Sequence, residues 1–196
     1  MAVEASGGGA AEASQRIAEL FEREGVSYAI GGALALAVAG VPRGTAHVDM
    51  NVFLTESDLP RLLELLAGLG MTVDREASMA RAARDGMFVA RWDGMRIGVF
   101  LPSIPFSSEA ERTRTRVVDA SGWSGWFLSA EAIAVFKLLF FRGKDLVDLE
   151  RLVAVRPDLD HTYIRRAIVG MMGEEDERVQ RWDALVVRFG PDRPPG

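Results

Sequence analysis

The sequence predicts an α+β fold: a small mixed β-sheet flanked by helices, followed by a helical C-terminal part. Three observations carry this. Short apolar runs bounded by Gly, Pro or Asp-Gly turns recur between residues 26 and 128. Amphipathic stretches at helical spacing are interleaved with them. From Ser129 onward the strand signals stop and the helical ones continue.

The elements follow in order. Residues 1–12 are rich in Gly, Ala and Ser and read as a disordered tail. Ser14 caps a helix over residues 14–23, with Ile17, Leu20 and Phe21 on one face and Gly25 as its stop. Residues 26–30 form a short strand. Gly31-Gly32 opens a helix over residues 33–39, and Gly40 closes it. Residues 42–45, Pro-Arg-Gly-Thr, make a turn. Val48, Met50 and Val52 then alternate with His47, Asp49 and Asn51, the period of a strand. Residues 56–69 read as an amphipathic helix with Ser57 as cap and Pro60 in its first turn. Residues 72–74 suggest a short strand. Apolar runs at 87–92 and 95–101 flank Asp93-Gly94, a strong hairpin signal. A loop, a helix over 107–114 and strands at 116–118 and 126–128 complete the sheet region. Ser129-Ala130-Glu131 caps an apolar helix to about Phe141, and helices follow at 145–155, 161–172 and 174–187. The division expected is a tail (1–12), an α+β core (13–128), a helical part (129–190) and a tail (191–196).

Composition narrows the function. The 196 residues are 48% hydrophobic, enough for an ordinary core, and their formal charge is -5. That balance argues against bulk nucleic-acid binding. With no cysteine and two histidines, His47 and His161, a disulfide framework or a multi-histidine zinc site is not expected. No secretory leader is visible. No apolar run reaches the roughly 18 residues of a membrane span. The expectation is a cytoplasmic protein without membrane contact.

The stretch from Tyr28 to Leu54 carries the chemistry. A Gly-Gly turn brings backbone N–H groups and a helix N-terminus to a place where anions are favoured. Acids at i and i+2 on a strand share a face, the arrangement that holds Mg²⁺ with oxygen ligands. Gly31, Gly32, Ala33, Leu34, Gly40, Arg43, Thr45 and Asp49 resemble the pattern G-G-x-A-L … G-x-x-R-x-T-x-D-h-D-h of small bacterial nucleotidyltransferase-like proteins. This is the group that includes the AbiEii toxin of abortive-infection systems. Leu128 to Glu131, Lys137 to Leu139 and Arg142 to Asp148 are similar to that group's L-S-x-E-x-x-x-x-x-K-L … R-x-K-D-x-x-D segment.

The resemblance implies a nucleotidyltransferase fold and transfer of a nucleotidyl group from an NTP to a hydroxyl, with Mg²⁺ as cofactor. It implies Asp49 as metal ligand and catalytic residue, and Gly31, Gly32, Arg43, Thr45, Lys137 and Lys144 as phosphate-binding residues. Two positions depart from the pattern. His47 stands where the first metal-binding Asp is expected, and Gly98, in Arg96-Ile97-Gly98-Val99-Phe100, stands where the third is expected. One carboxylate and one imidazole make a poor Mg²⁺ site. His47 is then a neutral replacement, a general base or a metal ligand. Lys137, alone in an apolar helix, either extends to the surface or, as the resemblance implies, reaches the ligand. Arg142, Lys144, Asp145 and Asp148 read equally as a capping and ion-pair cluster or as part of the site. Three functions follow. One is an active nucleotidyltransferase. Another has lost metal-dependent transfer and binds a small-molecule ligand or partner, or serves acid/base chemistry in a biosynthetic pathway. The third is a toxin–antitoxin component acting through a protein partner.

Overall fold

The computed structural model describes residues 9–190. Residues 1–8 and 191–196, most of the two expected tails, lie outside the described residues. Helix α1 (Ala10–Glu24) buries Ile17 and Phe21 completely, and Gly25 ends it at φ 66°. Strand β1 (Tyr28–Ile30) leads into α2 (Gly32–Val38), and β2 (His47–Val52) follows. Helices α3 (Leu59–Gly68) and α4 (Arg75–Asp85) precede the hairpin of β3 (Met87–Trp92) and β4 (Met95–Phe100). A short α5 (Ser107–Arg112) connects to the hairpin of β5 (Thr115–Val118) and β6 (Ser124–Phe127). Four helices complete the described residues: α6 (Ala130–Phe140), α7 (Gly143–Val155), α8 (His161–Met172) and α9 (Glu177–Phe189).

The six strands form one mixed sheet in the order β3-β4-β2-β1-β6-β5. β1 runs antiparallel to β2 and parallel to β6, while β2 runs parallel to β4. Parallel neighbours need a long crossover, and the segment holding α3, α4 and β3 supplies it between β2 and β4. The alternation in β2 sorts its two faces. Val48, Met50 and Val52 are fully buried, each stabilising by about 1.5–3 kcal/mol. His47, Asp49 and Asn51 point to the other face. Helix α1 packs on β1, β2 and β6, and α6 packs on α2, α7, α8 and α9. The Asp93-Gly94 loop has positive φ at both residues (47° and 78°), as a two-residue hairpin turn requires.

Several local expectations are corrected. Helix α1 begins at Ala10, so Ser14 lies inside it and its hydroxyl donates back to the Ala11 carbonyl at 2.7 Å. Residues 56–58 form a 3-10 turn rather than the first helical turn, and Ser57 bonds Thr55 instead of capping. Residues 72–74 are not a strand. Thr72 makes one bridge to Arg91, and Asp74 caps α4 by accepting from the Ala77 N–H at 3.0 Å. Helix α4 gives no signal in the sequence because REASMARAARD is largely polar and buries only Ser78 and Ala82. Its apolar stripe is too thin to give a periodic signal.

A candidate ligand-binding cleft

The polar face of β2 forms the floor of a cleft of about 500 Å³. Helix α6 supplies one wall through Ile133, Phe136, Lys137 and Phe140, and the turn into α7 adds Arg142 and Lys144. Phe100, Leu101 and Ile104, at and beyond the end of β4, form an apolar wall. The cavity therefore has a charged floor and a greasy side.

Asp49 is at the centre. It tolerates no side chain at residue 32, since a Cβ there would fall 2.1 Å from Asp49 Oδ2, and Gly32 also sits at φ 56°. Both facts call for glycine. The strand register places Asp49 directly opposite Gly98 on β4, and His47 opposite Arg96. A Cβ on residue 98 would come within 2.9 Å of Asp49 Oδ1. A side chain at position 98, where the resemblance implies an acid, would therefore face Asp49, and the glycine presents none. Arg96, two residues earlier on the same face of β4, fills the gap. Its Nη1 lies 3.6 Å from that hypothetical Cβ and 3.9 Å from Asp49 Oδ1. His47 Nε2 lies 3.6 Å from Asp49 Oδ2.

Lys137 is part of a buried ion-pair network. Its Nζ donates to Asp148 Oδ2 at 2.6 Å and to Asp145 Oδ1 at 3.4 Å, with all three side chains at most 8% exposed. Arg142 Nε donates to Asp145 Oδ2 at 2.6 Å, and Arg43 Nε lies 3.4 Å from Asp148 Oδ2. The Arg43 contact is an ion pair by distance without hydrogen-bond alignment, because Nε has no hydrogen-bond partner. Burial raises the Asp145 pKa, but the Arg142 hydrogen bond and the Lys137 and Arg142 charges outweigh it and hold the carboxyl below its ordinary value. The Arg142 guanidinium is raised, first by its hydrogen bond to Asp145, against burial, with Asp49's charge contributing. Three cations share two carboxylates here. With Arg96 and the exposed Lys144 added, the cleft carries net positive charge around Asp49.

The residues expected at the site divide accordingly. Gly32, Arg43, His47, Asp49, Lys137 and Lys144 all line the cleft. Gly31 and Thr45 do not. The Gly31 N–H donates to the Asp49 carbonyl at 2.8 Å, so that donor is engaged by the sheet. Thr45 Oγ1 donates to the His47 carbonyl and accepts from the His47 N–H, fixing the start of β2. Arg96 enters the sequence pattern only as the first residue of the Arg96-to-Phe100 strand, and the structure gives it a place in the cleft. The signal was present, because an arginine at i−2 from a glycine on a strand can fold over the space that glycine leaves.

The donor set does not fit a pair of Mg²⁺ ions. Two-metal chemistry needs several carboxylates converging on adjacent ions. Asp49 is accompanied by an imidazole and a guanidinium, and a fixed cation beside it opposes a second one. Among the described residues no group of three His, Cys, Asp or Glu side chains is disposed to hold a metal.

Comparison with known proteins settles the architecture. No protein-family profile matches this sequence, and no curated protein matches it. Solved structures do match. One is the crystal structure of ANT(2'')-Ia in complex with adenylyl-2''-tobramycin, at TM-score 0.51 and 15% identity, covering 91% of this chain and 98% of that one. Another is an antigenic nucleotidyltransferase-like protein from Paracoccidioides brasiliensis, at TM-score 0.50 and 16% identity, covering 88% and 91%. The fold is that of the nucleotidyltransferases. At such identities the likeness speaks for the nucleotidyltransferase fold alone. Among the described residues, no helix is long and apolar enough to cross a membrane.

Proposed function

We propose that this chain is a nucleotidyltransferase-fold protein whose cleft binds a nucleotide or another anion-bearing small molecule, and that it has lost two-metal nucleotidyl transfer. The observation that carries this is the pairing of Asp49 with Gly98, with Arg96 over the glycine. Net positive charge around Asp49, beside an apolar wall, suits a ligand with an anionic group and a planar or apolar body. The test is Mg²⁺-dependent pyrophosphate release, with each of the four NTPs against a panel of hydroxyl acceptors. The native protein should release none. The variant His47→Asp with Gly98→Asp should gain Mg²⁺-dependent NTP binding. Turnover by the native protein sinks the proposal.

The second reading is active transfer to a hydroxyl acceptor. Asp49 in an open cleft favours it, as does the adenylylated tobramycin that ANT(2'')-Ia holds on the same fold. In that reading Asp49 is the metal ligand, and Arg43 and Lys144 face the phosphates. We also place the chain beside the AbiEii-like proteins on the strength of its two motif segments; a toxin or antitoxin gene encoded next to it is the check.

A further inference from the structure

Arg96 is the group in the cleft whose position is explained neither by the fold nor by a strong partner. It is nearly half exposed, at 43% of its side chain, and its single ion pair among the described residues is the loose 3.9 Å approach to Asp49. A contact of that length in solvent is weak. Arg142 and Arg43, by contrast, are engaged by Asp145 and Asp148. The guanidinium carries five donors in a planar fork that matches phosphate oxygens two at a time. It lies over Gly98, the position where the family pattern carries a metal-binding carboxylate and where this chain has no side chain. Lys144, which makes no ion pair among the described residues, lines the same cleft.

We infer that Arg96 is a built-in cation taking the part of a metal ion, so that the cleft binds the phosphate group of its ligand without any divalent ion. Asp49 then orients the Arg96 fork instead of coordinating a metal, and Lys144 adds a second positive contact. This rests on the anion-binding reading of the cleft. Phosphate oxygens gain a permanently cationic partner that chelators cannot remove, and the affinity falls with salt as ionic contacts do.

Isothermal titration with ATP, tripolyphosphate and adenosine, each in EDTA and again in Mg²⁺, tests it on the full chain. ATP should bind in EDTA with affinity equal to or better than in Mg²⁺. Tripolyphosphate should compete, and adenosine alone should bind far more weakly. Arg96→Gln should weaken ATP binding about tenfold or more, the worth of a charge-assisted contact, with unchanged circular dichroism. Arg96→Lys should recover part of it. Binding that requires Mg²⁺, or that is unchanged in Arg96→Gln, overturns the role of Arg96 while leaving the cleft an anion site. Failure of both ATP and tripolyphosphate to bind in either buffer overturns the anion-binding reading itself.

Discussion

Replacing Lys137 by Met isolates the charge of a buried side chain while keeping its length and most of its packing. The ammonium is within 2.6 Å of Asp148 and 3.4 Å of Asp145, and the three side chains are 8%, 5% and 2% exposed. Removing one partner of a buried pair typically costs 3–5 kcal/mol, because the remaining charge stays desolvated and uncompensated. Two features lower the figure here. Arg142 still holds Asp145 at 2.6 Å, and Arg43 still faces Asp148 at 3.4 Å. The expected loss is therefore about 3 kcal/mol. For a chain of this size that lowers the melting temperature by about 6–12 °C. Urea denaturation followed by circular dichroism measures it, at a temperature where the variant is folded. Adding Asp148→Leu should restore part of the loss, since an apolar replacement of the whole pair is often neutral. ATP affinity of the folded variant should change less than about threefold, because the Lys137 charge is engaged by carboxylates rather than offered to the cleft. A loss under about 1 kcal/mol, or a stable variant with ATP binding abolished, would refute this reasoning and make Lys137 a ligand contact.

Gly32→Ala should cost about 2–3 kcal/mol, from the left-handed backbone at φ 56° and a Cβ driven into Asp49; a urea midpoint equal to the parent's contradicts the close approach. Tyr28 and Tyr163 are the chain's two tyrosines, and both are pushed up to about 12, first by burial and also by Glu22 and Glu109 respectively. Both raised values stabilise the fold below pH 10 and cease to do so between about 10 and 12. Absorbance near 295 nm should therefore show no phenolate step around pH 10 in the folded protein, and a step there with native circular dichroism disproves the burial. Asp145 is held below its ordinary 3.8, so its contribution is present above that value and is lost as pH falls through the lowered folded-state pKa. The stability difference between the parent and Asp145→Asn should be full at neutral pH and shrink below about pH 4; a difference independent of pH down to acid unfolding argues against the network.

Much of the secondary structure was legible because it is a local matter. The alternation of Val48, Met50 and Val52 with His47, Asp49 and Asn51 announces a two-faced strand. Asp93-Gly94 announces a hairpin, and Ser129 announces a helix by accepting from the Ala132 N–H. Helix α4 was not legible, since a polar helix held by a cap and two small buried residues has no hydrophobic period. Ser14 misled because a serine inside a helix can bond its own preceding turn as readily as it caps one.

At the site, the sequence by itself determined which chemical groups are present: one acid on β2, an imidazole two residues before it, a glycine in the R-h-G-h-F strand, and a cluster of Arg, Lys and Asp at the α6–α7 turn. Only the tertiary structure decided what each of them meets. Pairing of β2 with β4 in one register sets Asp49 against Gly98 and lets Arg96 occupy the space between. Burial of the α6–α7 corner turns Lys137 from a free cation into the centre of an ion-pair network. The reason is physical. Strand and helix formation follow from side-chain period within a few residues, whereas the charge a site presents depends on which desolvated groups the register and packing bring within hydrogen-bond distance.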